Sequence, residues 1–349
     1  MANDQGGRPP RGRYRSAVRP IRVLLSVRES ATKINPFVTL LVDALRQDGR
    51  VEVEFFSWPA AFSGRYDVFH IHWPEAITRG PSRFQRAASL VLSSLLLLRL
   101  RLTRTGIVRT AHNLNPHESG WPGERQILHA YDRATAEWIT MNRHTPVPAH
   151  GRRSVIPHGH YRDRYHVSSP ASGSSRTLLY FGLVRSYKGV DTLATAFSDA
   201  VDLDEYRLRI LGKPDPSGIS PELRRLIEDD PRIEPDFRYI PDDILATAIV
   251  DSRLVVLPYR AMHNSGAVLL ALSLHTPVLV PDNPITRDLR EEFGSEVVKL
   301  FPDELTSDSL SSAVAELAEA GFAPINMDSR DWNTIADSHV DVYRRANSW

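Results

Sequence analysis

The sequence predicts an α/β protein made of two Rossmann-like, doubly wound domains whose parallel sheets face each other across a cleft. Three observations carry this. Short β-rich apolar runs alternate with longer helical patterns from residue 21 onward; the alternation restarts at 177; and a Ser-, Pro- and Gly-rich stretch at 167–175 separates the two series. A chain of 349 residues has room for two such domains.

In the first series, 21–27, 51–56, 67–72 and 107–110 read as strands, and 36–47 and 82–103 as helices. In the second, 177–181, 206–211, 253–257 and 278–281 read as strands, with helices at 190–198, 242–250, 265–274, 303–320 and 332–345. The chain thus divides into a flexible basic leader at 1–20, a first domain at 21–170 and a second at 171–349, the last helix being free to pack back on the first domain. The leader is rich in Arg, Pro and Gly and lacks the apolar core of a signal peptide.

Composition excludes several classes of function. Hydrophobic residues at 42% and charged residues at 24% are ordinary globular values, and a net charge of +1 gives no general affinity for nucleic acid. The chain has no cysteine, so disulfides, thiolate metal sites and cysteine nucleophiles are out. A reducing, cytoplasmic setting is consistent with this.

Two strand–turn–helix segments in the second domain carry the most chemistry. Phe181-Gly-Leu-Val-Arg-Ser-Tyr-Lys-Gly-Val-Asp191 follows a strand and opens a helix. Gly182 lets the backbone approach a ligand, and Arg185 and Lys188 set two cations beside the turn, where a diphosphate would be neutralised. Leu257-Pro-Tyr-Arg-Ala-Met-His-Asn-Ser-Gly266 ends a strand and starts an apolar helix. There Ser265 and Gly266 would offer backbone N–H groups and a positive helix terminus to an anion. Each segment alone fits a tight turn or an ordinary N-cap; two in one sheet point to a shared anion. Neither is a GxGxxG or a GxxxxGK[ST], which removes the main support for nicotinamide and ATPase readings.

Together with Ile156-Pro-His-Gly-His-Tyr161 and the run from Ser265 through Pro277-Val278, these segments resemble the C-terminal signatures of GT-B glycosyltransferases, and the resemblance spans nearly the whole chain. It implies a sugar donor held through its diphosphate by Arg185, Lys188, Ser265 and Gly266, with His263 and Asn264 beside the donor sugar. It also implies a nucleoside resting on backbone near Arg238, Tyr239 and Ile240. One departure matters: many retaining relatives carry Glu, seven residues, then Glu, where this chain has His263 and Ala271. The Ser-Gly form with Ala271 is more similar to the mannosyltransferases of bacterial xanthan-type exopolysaccharide assembly. That likeness implies GDP-mannose as co-substrate with no bound cofactor, an inverting β-1,4 transfer, and a lipid-linked oligosaccharide acceptor.

Two polar clusters follow strands of the first domain, His70-Ile-His-Trp-Pro-Glu75 and Thr110-Ala-His-Asn-Leu-Asn-Pro-His-Glu118. Carboxyl ends of parallel strands face the ligand crevice, so His72, Glu75, His112, His117 and Glu118 should converge there, with His158 near them. Inversion needs one base opposite the leaving group; Glu118 is the first choice and Glu75 the second. His112, by the family resemblance, faces donor sugar or phosphate. No metal is expected: the spacings match no HExxH-type ligand set, and Asp202-Leu-Asp204 reads as an incidental polar connection.

The segment 83–104 combines five arginines, no acid and a dense leucine run. This suits either a buried crossover helix or peripheral contact with an anionic membrane, on the inner face if the protein is cytoplasmic, with Arg99, Arg101 and Arg104 among the contacts. A retaining transferase, a nucleotide-sugar 2-epimerase and a non-catalytic sugar-nucleotide sensor are the competing functions.

Overall fold

The computed structural model describes residues 19–32, 35–80, 82–112, 123–165, 175–260, 262, 265–320 and 324–348. Most of the leader, most of the 167–175 stretch with the 170/171 boundary, and the site candidates His117, Glu118, His263 and Asn264 lie outside these residues.

The first sheet contains β1 (Ile21–Leu25), β2 (Val51–Phe55), β3 (Val68–Ile71), β4 (Gly106–Ala111), β5 (Glu137–Thr140) and β6 (Arg152–Val155), in the order β2-β1-β3-β4-β5-β6. The second contains β7 (Thr177–Phe181), β8 (Arg207–Leu211), β9 (Ile233–Asp236), β10 (Leu254–Val256), β11 (Val278–Pro281) and β12 (Val298–Phe301), in the order β12-β11-β10-β7-β8-β9. Every named pairing is parallel. The central strands are buried on both faces and are near-continuous apolar runs, as helices covering both sides require.

Strand order decides where a ligand can sit. It reverses between β1 and β3 in the first sheet and between β7 and β10 in the second, and crevices open outside the carboxyl ends at such points. The loops that leave β7 and β10 are the two segments singled out by sequence. In the first sheet the corresponding loops run from Ser26 and from His72.

The closing helix, Trp332–Asn347, packs on the first sheet although it follows the second in sequence. Arg345 donates from Nε and Nη2 to the fully buried Glu137 of β5, both at 3.2 Å, and Tyr343 Oη pairs with His70 Nδ1 at 2.8 Å. A buried carboxylate without such a partner would be strongly destabilising, so Arg345 fixes how the helix docks. On one side of the cleft, Arg143 and His144 of the first lobe reach Asp288 of the second at 2.5 and 2.9 Å.

The leucine-rich segment forms the helix Arg83–Leu102, capped by Ser82 and Gln85 in a reciprocal capping box. Ser93, Leu96, Leu97 and Leu100 are buried, whereas Phe84, Val91, Leu95, Leu98 and Leu102 are exposed on the opposite stripe. The buried-crossover reading therefore holds for one face, and the other face is an exposed apolar stripe. Arg99 corrects the expectation for its side chain. It donates to Phe62 O, Gly64 O and Tyr66 Oη at 3.0, 2.7 and 2.8 Å, and so braces the neighbouring loop. Among the described residues, no helix is long and apolar enough to cross a membrane.

Candidate active site

The chain is bent sharply at the end of β7. Gly182 has φ +123°, and Gly189, the N-cap of the helix Val190–Ser198, has φ +65° with its Cα hydrogen pressed towards Pro258 O; a Cβ there would lie 2.2 Å from that oxygen. Conformation favours glycine at both positions, and at Gly189 space requires it as well. The result is that the β7 loop seats directly on the β10 loop.

Lys188 crosses between them. Its Nζ donates to Tyr259 Oη at 3.1 Å and lies 4.2 Å from the centre of the Tyr259 ring. Burial, and then the nearby charge of Arg185, pull its pKa down to about 8. A half-buried ammonium with no carboxylate partner among the described residues gains most from an arriving anion.

The same cavity, about 170 Å³, is lined by Gly182, Lys188, Tyr259 and the start of the helix Gly266–Ser273, and by Pro36 from the opposite lobe. Ser265 caps that helix by accepting from Val268 N at 3.4 Å. The Gly266 and Ala267 N–H groups have no acceptor among the described residues and border the cavity. Lys188 and a helix N-terminus thus converge on one space, the arrangement that binds phosphate. Arg185 stands further out. It pairs with Asp215 at 3.7 Å, is partly exposed, and does not line this cavity. Arg238 and Tyr239, after β9, are exposed, and Arg238 is held by Asp236 at 2.9 Å. Ile240 is half-buried against the second core.

Across the cleft, the histidines cluster. His72 Nδ1 and His112 Nε2 are 3.0 Å apart, and the Trp73 ring stacks on His112 with centroids 4.4 Å apart. Phe37, at the start of the helix Pro36–Asp48, contacts both His112 and His158 at 5.4 and 4.7 Å between ring centroids. Burial pushes the His112 pKa down to about 3 and that of His158 to about 4, and it drives His72 well below the usual range. These rings are neutral hydrogen-bonding groups at physiological pH, not acids. His72 Nε2 is buried without a partner among the described residues. A buried N–H without an acceptor is rarer than a bare lone pair, which favours the tautomer with the proton on Nδ1. His72 then donates to His112 and fixes that ring.

Glu75 opens a short helix, Glu75–Thr78, immediately after the histidine pair and is half-buried. His158 Nε2 pairs with Tyr161 Oη at 3.2 Å, and Tyr161 lines the Lys188 cavity. The structure therefore brings His72, His112 and His158 into one cluster, and Gly182, Lys188 and Gly266 into another facing it. Sequence reasoning passed over Tyr259, Tyr161 and Phe37. Tyr259 stands two residues beyond a predicted strand end, a position that could have singled it out.

Residues 175–320 match a family model described as group 1 glycosyltransferases. The chain is 39% identical over 339 residues to a GDP-mannose:glycolipid 4-beta-D-mannosyltransferase of Xanthomonas campestris pv. campestris, an alignment covering 95% of each chain. The protein is a group 1 glycosyltransferase. The fold of this glycosyltransferase is GT-B. It matches sucrose-phosphate synthase from Thermosynechococcus elongatus at a TM-score of 0.58 and 17% identity, over 93% of this chain and 94% of that one. It matches a glycosyltransferase involved in avilamycin A biosynthesis at 0.59 and 17%, over 94% and 98%. The glycosyltransferase has no group of three or more His, Cys, Asp or Glu able to hold a metal ion among its described residues.

Proposed function

We propose that this glycosyltransferase transfers mannose from GDP-mannose, with inversion, to form a β-1,4 linkage on a lipid-linked oligosaccharide used in exopolysaccharide assembly. The observation that carries the reading is the joint lining of one cavity by Lys188 and the Gly266–Ala267 N–H groups. Donor and acceptor classes come from the Xanthomonas relative's name, supported by 39% identity over 95% of both chains.

In this reading the diphosphate lies between Lys188 and the helix terminus, and Arg185 approaches it from the rim. His112, held by His72, hydrogen-bonds the donor sugar, and the guanosine extends towards Arg238, Tyr239 and Ile240. An acceptor hydroxyl attacks the anomeric carbon as the bond to the diphosphate oxygen breaks. The electron pair leaves with GDP, and the hydroxyl proton passes to one carboxylate base, for which Glu118 is the first choice and Glu75 the second. Charge developing on the departing diphosphate meets fixed cationic and dipolar groups, so the step requires no metal.

Peripheral membrane contact belongs to the same reading. Exposed Phe84, Val91, Leu95, Leu98 and Leu102 form one stripe of a helix that carries the exposed Arg83 and Arg101 and is followed by the exposed Arg104. Such a surface lies in an anionic leaflet with the arginines at the headgroups, and it brings the enzyme to its lipid-linked acceptor.

The test is a set of assays in which GDP-mannose, UDP-glucose, ADP-glucose and dTDP-glucose compete for transfer to the glycolipid fraction, with the product anomer read by NMR. A β-mannosyl product from GDP-mannose is expected. An α-linked product, or preference for another donor, would refute the reading.

A further inference from the structure

Tyr161 stands where the Lys188 cavity meets the histidine cluster. Its backbone N–H donates to Ser273 Oγ at 2.9 Å, at the end of the helix Gly266–Ser273. Its hydroxyl lies at the start of the same helix, where a Cβ added to Gly266 would sit 2.9 Å from Tyr161 Oη. The side chain is buried and lines the cavity together with Lys188, Gly266 and Ala267.

The hydrogen of that hydroxyl can be placed by elimination. His158 Nδ1 is 2.8 Å from Gly159 O, which can only accept, so Nδ1 carries a proton. Burial holds the His158 pKa at about 4, so the ring has one proton at physiological pH and Nε2 is a bare lone pair. Tyr161 Oη, 3.2 Å from Nε2, is therefore the donor of that bond. The histidine is held from behind. Arg330 Nη1 donates to His158 O at 3.2 Å, and Gly159 lies so close to the Trp332 ring that a Cβ there would be 2.4 Å from it.

We propose that Tyr161 is a further donor-binding residue, whose hydroxyl turns from His158 Nε2 to a diphosphate oxygen seated on the Gly266 terminus, an inference that rests on the transferase reading above. In the free enzyme the O–H rests on a neutral nitrogen at 3.2 Å, long for a bond from a hydroxyl. A phosphate oxygen is charged, and a charge-assisted bond is about twice as strong as a neutral one, so the anion captures the hydrogen. The exchange needs only rotation about the phenol C–O bond. It leaves His158 Nε2 as an unfilled acceptor, the less costly kind of unpaired group. As the sugar departs, charge gathers on the diphosphate and the Tyr161 bond strengthens with it.

The experiment compares wild type with Tyr161→Phe, which keeps the ring and loses the hydroxyl. GDP is titrated by calorimetry and inorganic pyrophosphate by its displacement of GDP. Affinity for both should fall about tenfold or more in the variant. A second measurement uses wild type itself, so the proposal stays testable if the variant does not fold. In ¹H–¹⁵N spectra of the histidine side chains, with His158 assigned from His158→Gln, GDP should shift the Nε2 signal while the proton stays on Nδ1. In Tyr161→Phe the signal should already be displaced before GDP is added. Unchanged affinity for GDP and pyrophosphate in Tyr161→Phe would overturn the proposal. So would a loss for GDP alone, which would set Tyr161 against the nucleoside, or a wild-type Nε2 signal indifferent to bound GDP. Failure of wild type to bind GDP would instead strike the diphosphate site itself.

Discussion

Donor affinity should fall as pH rises through the titration of Lys188. Burial and Arg185 hold this ammonium at about 8, well below a free lysine, because among the described residues no carboxylate accompanies it in the cavity and Tyr259 offers only a hydroxyl and a ring face. A diphosphate placed between Lys188 and the Gly266 terminus favours the protonated form, so binding competes with deprotonation. With a free-enzyme pKa of about 8 and a much higher one in the complex, the protonated fraction drops about fourfold from about pH 6.5 to about pH 8.5, and the apparent dissociation constant of GDP-mannose should rise by the same factor. The donor's own diphosphate has no group titrating in this window. Calorimetry across the range provides the assay, with two controls. Lys188→Arg stays charged throughout and should give a flat profile. Lys188→Met should bind about ten- to a hundredfold more weakly at the acid end and show no slope, the loss expected for a charge-assisted hydrogen bond. A wild-type profile as flat as that of Lys188→Arg, or a slope that survives in Lys188→Met, would refute the placement of the diphosphate against this side chain.

Four further outcomes follow from the same geometry. His72→Leu should lower kcat about tenfold by freeing the His112 ring, while His72→Asn, which keeps a donor near the Nδ1 position, should recover most of it; equal loss in both would remove the positioning role. Gly189→Ala should destabilise the protein by about 2–3 kcal/mol, read in thermal unfolding, since its Cβ would meet Pro258 O in a left-handed conformation; an unchanged transition would contradict the described loop. Activity should survive prolonged EDTA treatment, and loss restored by a divalent cation would show that Lys188 and the helix terminus do not suffice for the leaving group. Replacing exposed Leu98 and Leu102 by Ser together with Arg101 and Arg104 by Gln should reduce binding to anionic vesicles severalfold, whereas Arg99→Gln should mainly lower thermal stability by releasing the Phe62–Tyr66 loop.

The two-sheet plan and the donor segments were legible because they depend on local rules. Central strands such as Thr177–Phe181 and Leu254–Val256 are apolar runs between turn residues, and the loops that line the Lys188 cavity follow them at the switch point. The edge strands β6 and β9 and the charge-partnered β5 were not legible. β6 is Arg-Arg-Ser-Val, largely exposed, and β9 is Ile-Glu-Pro-Asp with a proline on the sheet edge, so neither has an alternating pattern to detect. β5 carries Glu137, an acid that a buried strand accommodates because Arg152 of β6 and Arg345, 208 residues downstream, both pair with it. The leucine-rich helix shows the converse. Both of its faces are leucine-rich, and only packing reveals that one is core and the other is open to solvent. Within the site, His72 and His112 were found as strand-end residues, but their mutual bond depends on the register of β3 against β4.

The most direct test of the account is a crystal structure of the enzyme with GDP. The account predicts a diphosphate oxygen within hydrogen-bonding distance of Lys188 Nζ and another capped by the Gly266 and Ala267 N–H groups. GDP bound with its phosphates away from both, for example along the exposed Arg238–Tyr239 surface, would contradict it.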